Sequence, residues 1–306
     1  MDKILVIGSS NTDMVIKTQK FPAPGETILG GDFFMTQGGK GANQAVAAQR
    51  CGGTVAFVGK IGNDIFGNKA MQHLEEEGIS TSFVATDPVK PSGVAMIMVD
   101  GKGENSIIVA DSSNGSLSSE DIDRATPELE TAGIILLQLE IPIDTVTYIA
   151  ERAAQSGKTV ILNPAPAAQL PDALLKNVSL LIPNENEAAQ LTGVKVTDAA
   201  SAEKAALVLK KKGVKTIVIT MGSAGAFVQD DNFSGMISPY QVEVVDSTAA
   251  GDTFCGALAA EISRGRDLKE ALRFATAAAA ISVTRMGAQP SIPVENEVRE
   301  FLLRNR

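Results

Sequence analysis

The residues best placed to do chemistry lie in VDSTAAGDTFCGAL, Val245 to Leu258. Ala249, Ala250 and Gly251 are small, Asp252 is an acid, and Phe254, Leu258 and Ile262 follow at helical spacing. The spacing predicts a helix starting just after Gly251-Asp252, with unpaired N–H groups and a partial positive charge at its mouth. The turn is too small to obstruct an anion, yet an acid beside a phosphate would repel it. Asp252 makes sense there if a hydroxyl must lose a proton while attacking a phosphorus held by the amides of Ala249, Ala250 and Gly251. The plainer alternative is that Asp252 caps the helix.

Other turns carry polar groups of the same kind. GSSNTD (8–13) follows the first apolar run and puts Asn11 and Asp13 at a carboxyl strand end, where open α/β sheets hold ligands. Asn both donates and accepts and Asp accepts twice, which suits a polyol and equally an ordinary Asx turn. QGGKGAN (37–43) brings Gly39, Lys40, Gly41, Ala42 and Asn43 to a helix start, where backbone N–H groups and the Asn43 amide could reach hydroxyls. It is not a P-loop, because Gly41 and not Ser or Thr follows Lys40. IPNENEA (182–188) sets Asn184 and Glu187 three apart at a helix start, a spacing fit for Mg²⁺ held largely through water or for a helix cap. TMGSAGAF (220–227) ends an apolar run with Gly222 and Gly225 three apart, a pair as common in hairpins as around nucleotides.

These turns need a scaffold, and the chain supplies one. KILVIGSS, TVAFVGKIG, GIILLQLE, TVILNPAP, VSLLIPN and TIVITMG are short, near-continuous apolar runs, the mark of strands buried on both faces. ANQAVAAQRCG, DTVTYIAERAAQSG and AASAEKAALVLKKKG alternate with them as helices, each ending at a glycine. The expected fold is α/β, a doubly wound and mostly parallel sheet in a single domain over 1–306. Two inserts, about 14–37 and 92–114, have alternating β character and no helix, and DGKGEN reads as a hairpin turn in the second. They are expected to form a small β lid over a ligand cleft or a partner subunit.

Composition narrows the chemistry further. With 44% hydrophobic and 21% charged residues, the 306-residue chain can bury a large core. A net charge of −9 argues against nucleic acid as a partner. No apolar run approaches the roughly 20 residues of a membrane span, and MDKILVIGSS enters a strand directly, so a cytoplasmic location is expected. Cys51 and Cys255 are too few for a disulfide framework. His73, the only histidine, sits in the amphipathic pattern IFGNKAMQHLEEEG, which leaves a carboxylate as the source of any proton chemistry.

STAAGDTF (247–254) resembles the signature of the ribokinase-like (PfkB) carbohydrate kinases, with Ala249 where the family more often has glycine. One methyl group there should matter little unless the position needs a positive φ. GGKGANQAVAAQRCG (38–52) is similar to the family's first signature, and the resemblance runs from Gly8 to Pro293. It implies an ATP-dependent sugar kinase. Within the family, GSSNTDMV, GGKGANQA, TRMGAQPSIP and Glu140 imply D-ribose as the sugar and its 5-hydroxyl as the acceptor. Fructose, a nucleoside or a sugar phosphate is the nearest alternative substrate, and a nonenzymatic sugar-responsive regulator is the alternative of another class.

The resemblance also distributes roles. Asn11, Asp13, Gly39 to Asn43 and Glu140, which ends the run IILLQLE, would line the sugar pocket with Asp252. Asn184, Thr220, Gly222, Ser223, Gly225, Gly251 and Thr276 would hold the nucleotide, with Glu187 on Mg²⁺ through water. A K⁺ site would be built from Asp246 and backbone carbonyls of Thr248, Ser282, Arg285 and Gly287, with Ser291 nearby. A homodimer formed through the lid is implied as well.

Overall fold

The computed structural model describes residues 1–305. In chain order its strands are β1 (Lys3–Ile7), β2 (Asn11–Lys17), β3 (Asp32–Gly38), β4 (Thr54–Val58), β5 (Lys60–Gly62), β6 (Ala85–Asp87), β7 (Gly93–Val99), β8 (Asn105–Ala110), β9 (Ala132–Leu137), β10 (Thr159–Leu162), β11 (Leu180–Leu181), β12 (Thr216–Thr220), β13 (Ala226–Gln229) and β14 (Ser234–Ile237). The main sheet has the order β14-β13-β12-β11-β10-β9-β1-β4. It is parallel from β4 through β12, and the hairpin β12–β13–β14 adds an antiparallel edge.

Alternation along each strand divides the core between the two faces of that sheet. Ile4, Val6, Ile134, Leu136 and Ile161 point to one side, under helices Lys40–Arg50, Ala250–Ser263 and Leu268–Ser282. Leu5, Ile7, Ile135, Leu137, Val160 and Leu162 point to the other, under helices Ile143–Gln155 and Ala199–Lys211. Burial on both faces is why these strands read as unbroken apolar runs. No helix among the described residues is long and apolar enough to cross a membrane.

Beside this body stands a four-stranded sheet of order β3-β2-β7-β8, with β2 and β7 parallel and the other pairs antiparallel. The β7–β8 hairpin turns through DGKGEN, where the Asp100 N–H donates to the Glu104 carbonyl at 2.9 Å. Three details depart from the sequence reading. TVAFVGKIG is not one strand: it leaves the main sheet after Val58, and β5 pairs instead with β6. Asn11 and Asp13 do not end β1 but begin β2 of the small sheet. Glu140 lies three residues beyond β9, which stops at Leu137.

One packing contact sets up the site. Gly256 of helix Ala250–Ser263 lies so close to helix Lys40–Arg50 that an added Cβ would stand 2.5 Å from the Gln44 carbonyl oxygen and 2.6 Å from the Ala47 Cβ. Only small residues allow this approach, and it brings the first turns of the two helices side by side.

Candidate active site

The helix carrying Asp252 begins at Ala250, so Gly251 and Asp252 lie inside its first turn and not before it. The Asp252 side chain caps nothing. It is 6% exposed and bound sideways: Asn43 Nδ2 donates to Oδ2 at 3.0 Å and Gln44 Nε2 donates to Oδ1 at 3.0 Å. The capping alternative is thereby excluded. At the N-cap, Ala249 has φ 59° and ψ 14°, the left-handed conformation that favours glycine. The methyl group at this position therefore does matter, because the turn demands a positive φ. Among the described residues, the N–H groups of Ala249, Gly251 and Asp252 have no acceptor. The Ala250 N–H differs from the expectation, since it donates to the Ser247 carbonyl at 3.2 Å.

A cavity of about 210 Å³ opens over this turn, lined by Lys40, Asn184, Glu187, Thr220, Ala249 to Asp252, Asn163 and Cys255 among others. Asp252, more than any other neighbour, holds the Lys40 ammonium above its ordinary range, against the opposing effect of burial. Glu140 and Glu187 act in the same direction as Asp252. Asn184 and Glu187 form a capping box: Glu187 N–H donates to Asn184 Oδ1 at 2.9 Å and Asn184 N–H to Glu187 Oε2 at 2.8 Å. Burial pushes Glu187 upward, opposed by its Asn184 bond and by Lys40. No cluster of three metal-ligating side chains occurs among the described residues. A lone buried carboxylate suits a divalent ion carried in by phosphates and hydrated, not a caged one. Burial and the Asp252 charge raise the Cys255 thiol well above its usual range, so it is no nucleophile.

The glycine turn before Asn43 works differently from the sequence reading. Its backbone amides do not face outward: Lys40 N–H donates to Glu140 Oε2 at 3.0 Å, Gly41 to Ser9 Oγ at 3.3 Å, Ala42 to the Ser9 carbonyl at 2.9 Å and Asn43 to the Gly39 carbonyl at 2.8 Å. Gly39, at φ 88°, makes the bend, and its missing Cβ would stand 2.7 Å from the Asn11 nitrogen. The turn thus delivers the Lys40 and Asn43 side chains, not its amides. Glu140 Oε2 also accepts from Ser9 Oγ at 2.6 Å, and Asn11 Oδ1 from Asn114 Nδ2 at 2.8 Å.

Asp13 is the least satisfied group in the region. It is 7% exposed, and no hydrogen bond from the described residues reaches its carboxylate. Burial first, then the negative charges of Glu140 and Asp252, push it up to about 7, with Lys40 opposing. It lines a cleft of about 550 Å³ between the small sheet (Val15, Phe34, Ile97, Ile107) and the loops carrying Asp246, Thr248, Met286 and Gly287.

The remaining candidates are placed less decisively. Asp246 ties two loops together, accepting from the Thr248 N–H (2.9 Å) and hydroxyl (2.6 Å) and from the Gly287 N–H (2.9 Å). The carbonyls of Thr248, Arg285 and Gly287 accept no hydrogen bond among the described residues, whereas that of Ser282 accepts from Arg285 N–H at 3.1 Å. The Ser291 hydroxyl donates to the Ala288 carbonyl at 2.7 Å, and the Arg285 side chain pairs with Glu297. Gly222, Ser223 and Gly225 form the β12–β13 turn beyond Thr220, outside the lining of either cavity. Thr276, also outside both, bonds its hydroxyl to the Leu272 carbonyl at 2.8 Å. His73 faces Glu77 on helix Ile65–Glu76 and lines neither cavity.

Sequence reasoning assigned no role to Gln44, Asn163, Gln138, Gln289 or Ser9. Gln138 and Asn163 each sit one residue beyond a parallel strand, and a polar residue directly after a buried apolar run was the available signal.

This geometry has close counterparts. A model of the pfkB family carbohydrate kinases matches residues 1–295. A ribokinase of Haemophilus influenzae is 44% identical over 299 residues, 98% of each chain. Among solved structures, ribokinase of Thermotoga maritima superposes with a TM-score of 0.89 at 39% identity, covering 99% of this chain and 100% of that one. Arabidopsis thaliana ribokinase, solved with ribose and ATP, gives 0.90 at 33% identity over 98% of each chain. The chain belongs to the pfkB family of carbohydrate kinases.

Proposed function

We propose that this chain phosphorylates D-ribose at its primary 5-hydroxyl with ATP, releasing ribose 5-phosphate and ADP. The observation that carries the reading is Asp252: a buried carboxylate gripped by two amides, beside free N–H groups and the Lys40 ammonium in one cavity. Relatives along the whole chain include ribokinases, at up to 44% identity, and deoxyribokinases at 38%, and a ribokinase is solved with ribose and ATP.

Asp13 accepts from sugar hydroxyls, which supply the donors its carboxylate lacks, and Asn11, Asn43 and Glu140 complete the polar side of the pocket. Asp252 takes the 5-hydroxyl proton as that oxygen bonds to the γ-phosphorus. The bond from the γ-phosphorus to the β–γ bridging oxygen breaks, and ADP leaves with its electron pair. The N–H groups of Ala249 and Gly251, together with Lys40, stabilise charge on the phosphoryl group in transit. Asn184, Thr220, the Gly222–Gly225 turn and Thr276 hold the nucleotide. Glu187 would hold, through water, a Mg²⁺ carried in on the phosphates, and that ion would supply neutralisation of their charge.

Two features extend the reading. Asp246 and the unengaged carbonyls of Thr248, Arg285 and Gly287 would hold K⁺, which would stiffen the loop leading into the anion turn. The small sheet is a lid over the sugar, and its outer face, with Phe33 57% and Ile108 68% exposed, is the contact of a homodimer.

ADP release from MgATP tests the assignment, with D-ribose, 2-deoxyribose, fructose, adenosine and fructose 6-phosphate each assayed in K⁺ and in Na⁺. Turnover with ribose that rises in K⁺ supports the whole reading. Preference for adenosine would turn the apolar cleft into a nucleoside site, and ribose binding without turnover would make the chain a sugar-responsive regulator.

A further inference from the structure

Gln44 has no part in the scheme above, yet the site is organised around it. Its side chain is fully buried, with both amide hydrogens donated and the amide oxygen accepting one bond. Nε2 donates to Asp252 Oδ1 at 3.0 Å and to Asn163 Oδ1 at 3.1 Å, and Oε1 accepts from Gln138 Nε2 at 2.7 Å. The orientation is not arbitrary. An ionised carboxylate only accepts, so Gln44 must present its nitrogen to Asp252, which turns its oxygen to Gln138. The other carboxylate oxygen is held in the same way: Asn43 Nδ2 donates to it, and Asn43 Oδ1 accepts from Gln289 Nε2 at 3.1 Å.

Asp252 is therefore clamped by two amides, each oriented by a further buried glutamine. At the outer ends of both chains, Gln138 Oε1 and Gln289 Oε1 are buried with no partner. Buried polar groups without partners oppose stability, so an arrangement tuned for stability alone would end otherwise. What the clamp does achieve is to fix both oxygens of a carboxylate that otherwise turns freely about its last torsion.

We propose that Gln44 is a positioning residue for phosphoryl transfer, holding the Asp252 carboxylate in the orientation that meets the sugar hydroxyl and acting only through Asp252. This rests on Asp252 being the base. A misplaced reacting group costs on the order of 10²-fold in rate, whereas a group that touches neither substrate contributes nothing to their binding.

The test is Gln44→Met, which keeps the length and removes the donors, made alone and with Asp252→Asn in the full-length protein. Steady-state rates with ribose and MgATP, ribose affinity by calorimetry and thermal unfolding are measured on each. The expected result is a kcat lowered by about 10- to 100-fold with ribose affinity and both KM values within about twofold. In the Asp252→Asn background the same change lowers kcat by less than about twofold. Should Gln44→Met fail to fold, Gln138→Met removes only the orienting partner and gives a smaller loss with the same dependence on Asp252. An unchanged kcat in folded Gln44→Met, or equal losses in both backgrounds, overturns the proposal while leaving the base intact. Normal turnover in Asp252→Asn alone removes the base reading, and this proposal with it.

Discussion

The two halves of the site are built on opposite plans. Around Asp252 the carboxylates already have their partners within the protein: two amides on Asp252, a capping box on Glu187, and an ammonium whose charge acts on both. Around Asp13 the cleft is apolar, open to one side, and holds a buried carboxylate with no donor. The first half has its acids fixed before any ligand arrives and leaves only N–H donors open, and the second is finished only by a ligand rich in hydroxyls. Phosphoryl transfer rewards this division, because charge stabilisation works best when nothing must reorganise, while substrate choice benefits from a site that only the right partner satisfies.

The largest effect should come from breaking the prepared half. Lys40→Met removes the only cation that lines its cavity among the described residues, and turnover should fall by about 10²–10³-fold, the usual worth of a preorganised charge on a developing anion. A loss of less than about tenfold in saturating MgATP would show that the backbone amides suffice. The unfinished half should instead respond to pH. The native Asp13 carboxyl keeps its proton up to about 7, whereas the unfolded chain releases it near 3.8. Between those values the native state holds more protons, so the empty protein loses stability as pH rises through that window. Ribose needs the carboxylate, so its affinity should weaken by about tenfold per pH unit below 7, with a proton released on binding near neutrality. Calorimetry in buffers of different ionisation enthalpy reads that proton directly. An affinity flat between pH 5.5 and 7.5 would mean that the sugar does not bind through the Asp13 carboxylate.

Smaller effects probe how the halves are joined. Gly256→Ala forces a methyl group against the Gln44 carbonyl and should cost about 1–3 kcal/mol of stability, read by denaturant unfolding. It should also lower kcat more than it weakens ribose binding, because it separates the two helices that carry the prepared half. The smallest effect is a gain: Ala249→Gly relieves a left-handed alanine and should stabilise by about 1 kcal/mol. A loss of stability there would show that the methyl group makes compensating contacts.

Fold and site were legible to different depths. Runs such as KILVI and IILL declare buried parallel strands because both faces are covered, and Gly52, Gly157 and Gly213 all take the positive φ expected at helix ends. Asp252 was legible because small residues and an acid before an apolar helical pattern have few other uses. The direction of the Gly39–Asn43 amides was not, since they turn to Ser9 and Glu140, partners supplied by distant parts of the chain. Nor was the left-handed Ala249, because alanine locally favours the helix that follows. Gln44 stood inside a stretch singled out for its neighbours, and only the helix contact at Gly256 reveals what it faces.

The central claim is that Asp252 acts as the base and does not build the sugar site. Asp252→Asn keeps the shape and the helix, so ribose affinity measured by calorimetry should change little while kcat falls by about 10²–10⁴-fold. Near-normal turnover, or a loss confined to sugar binding, would contradict it.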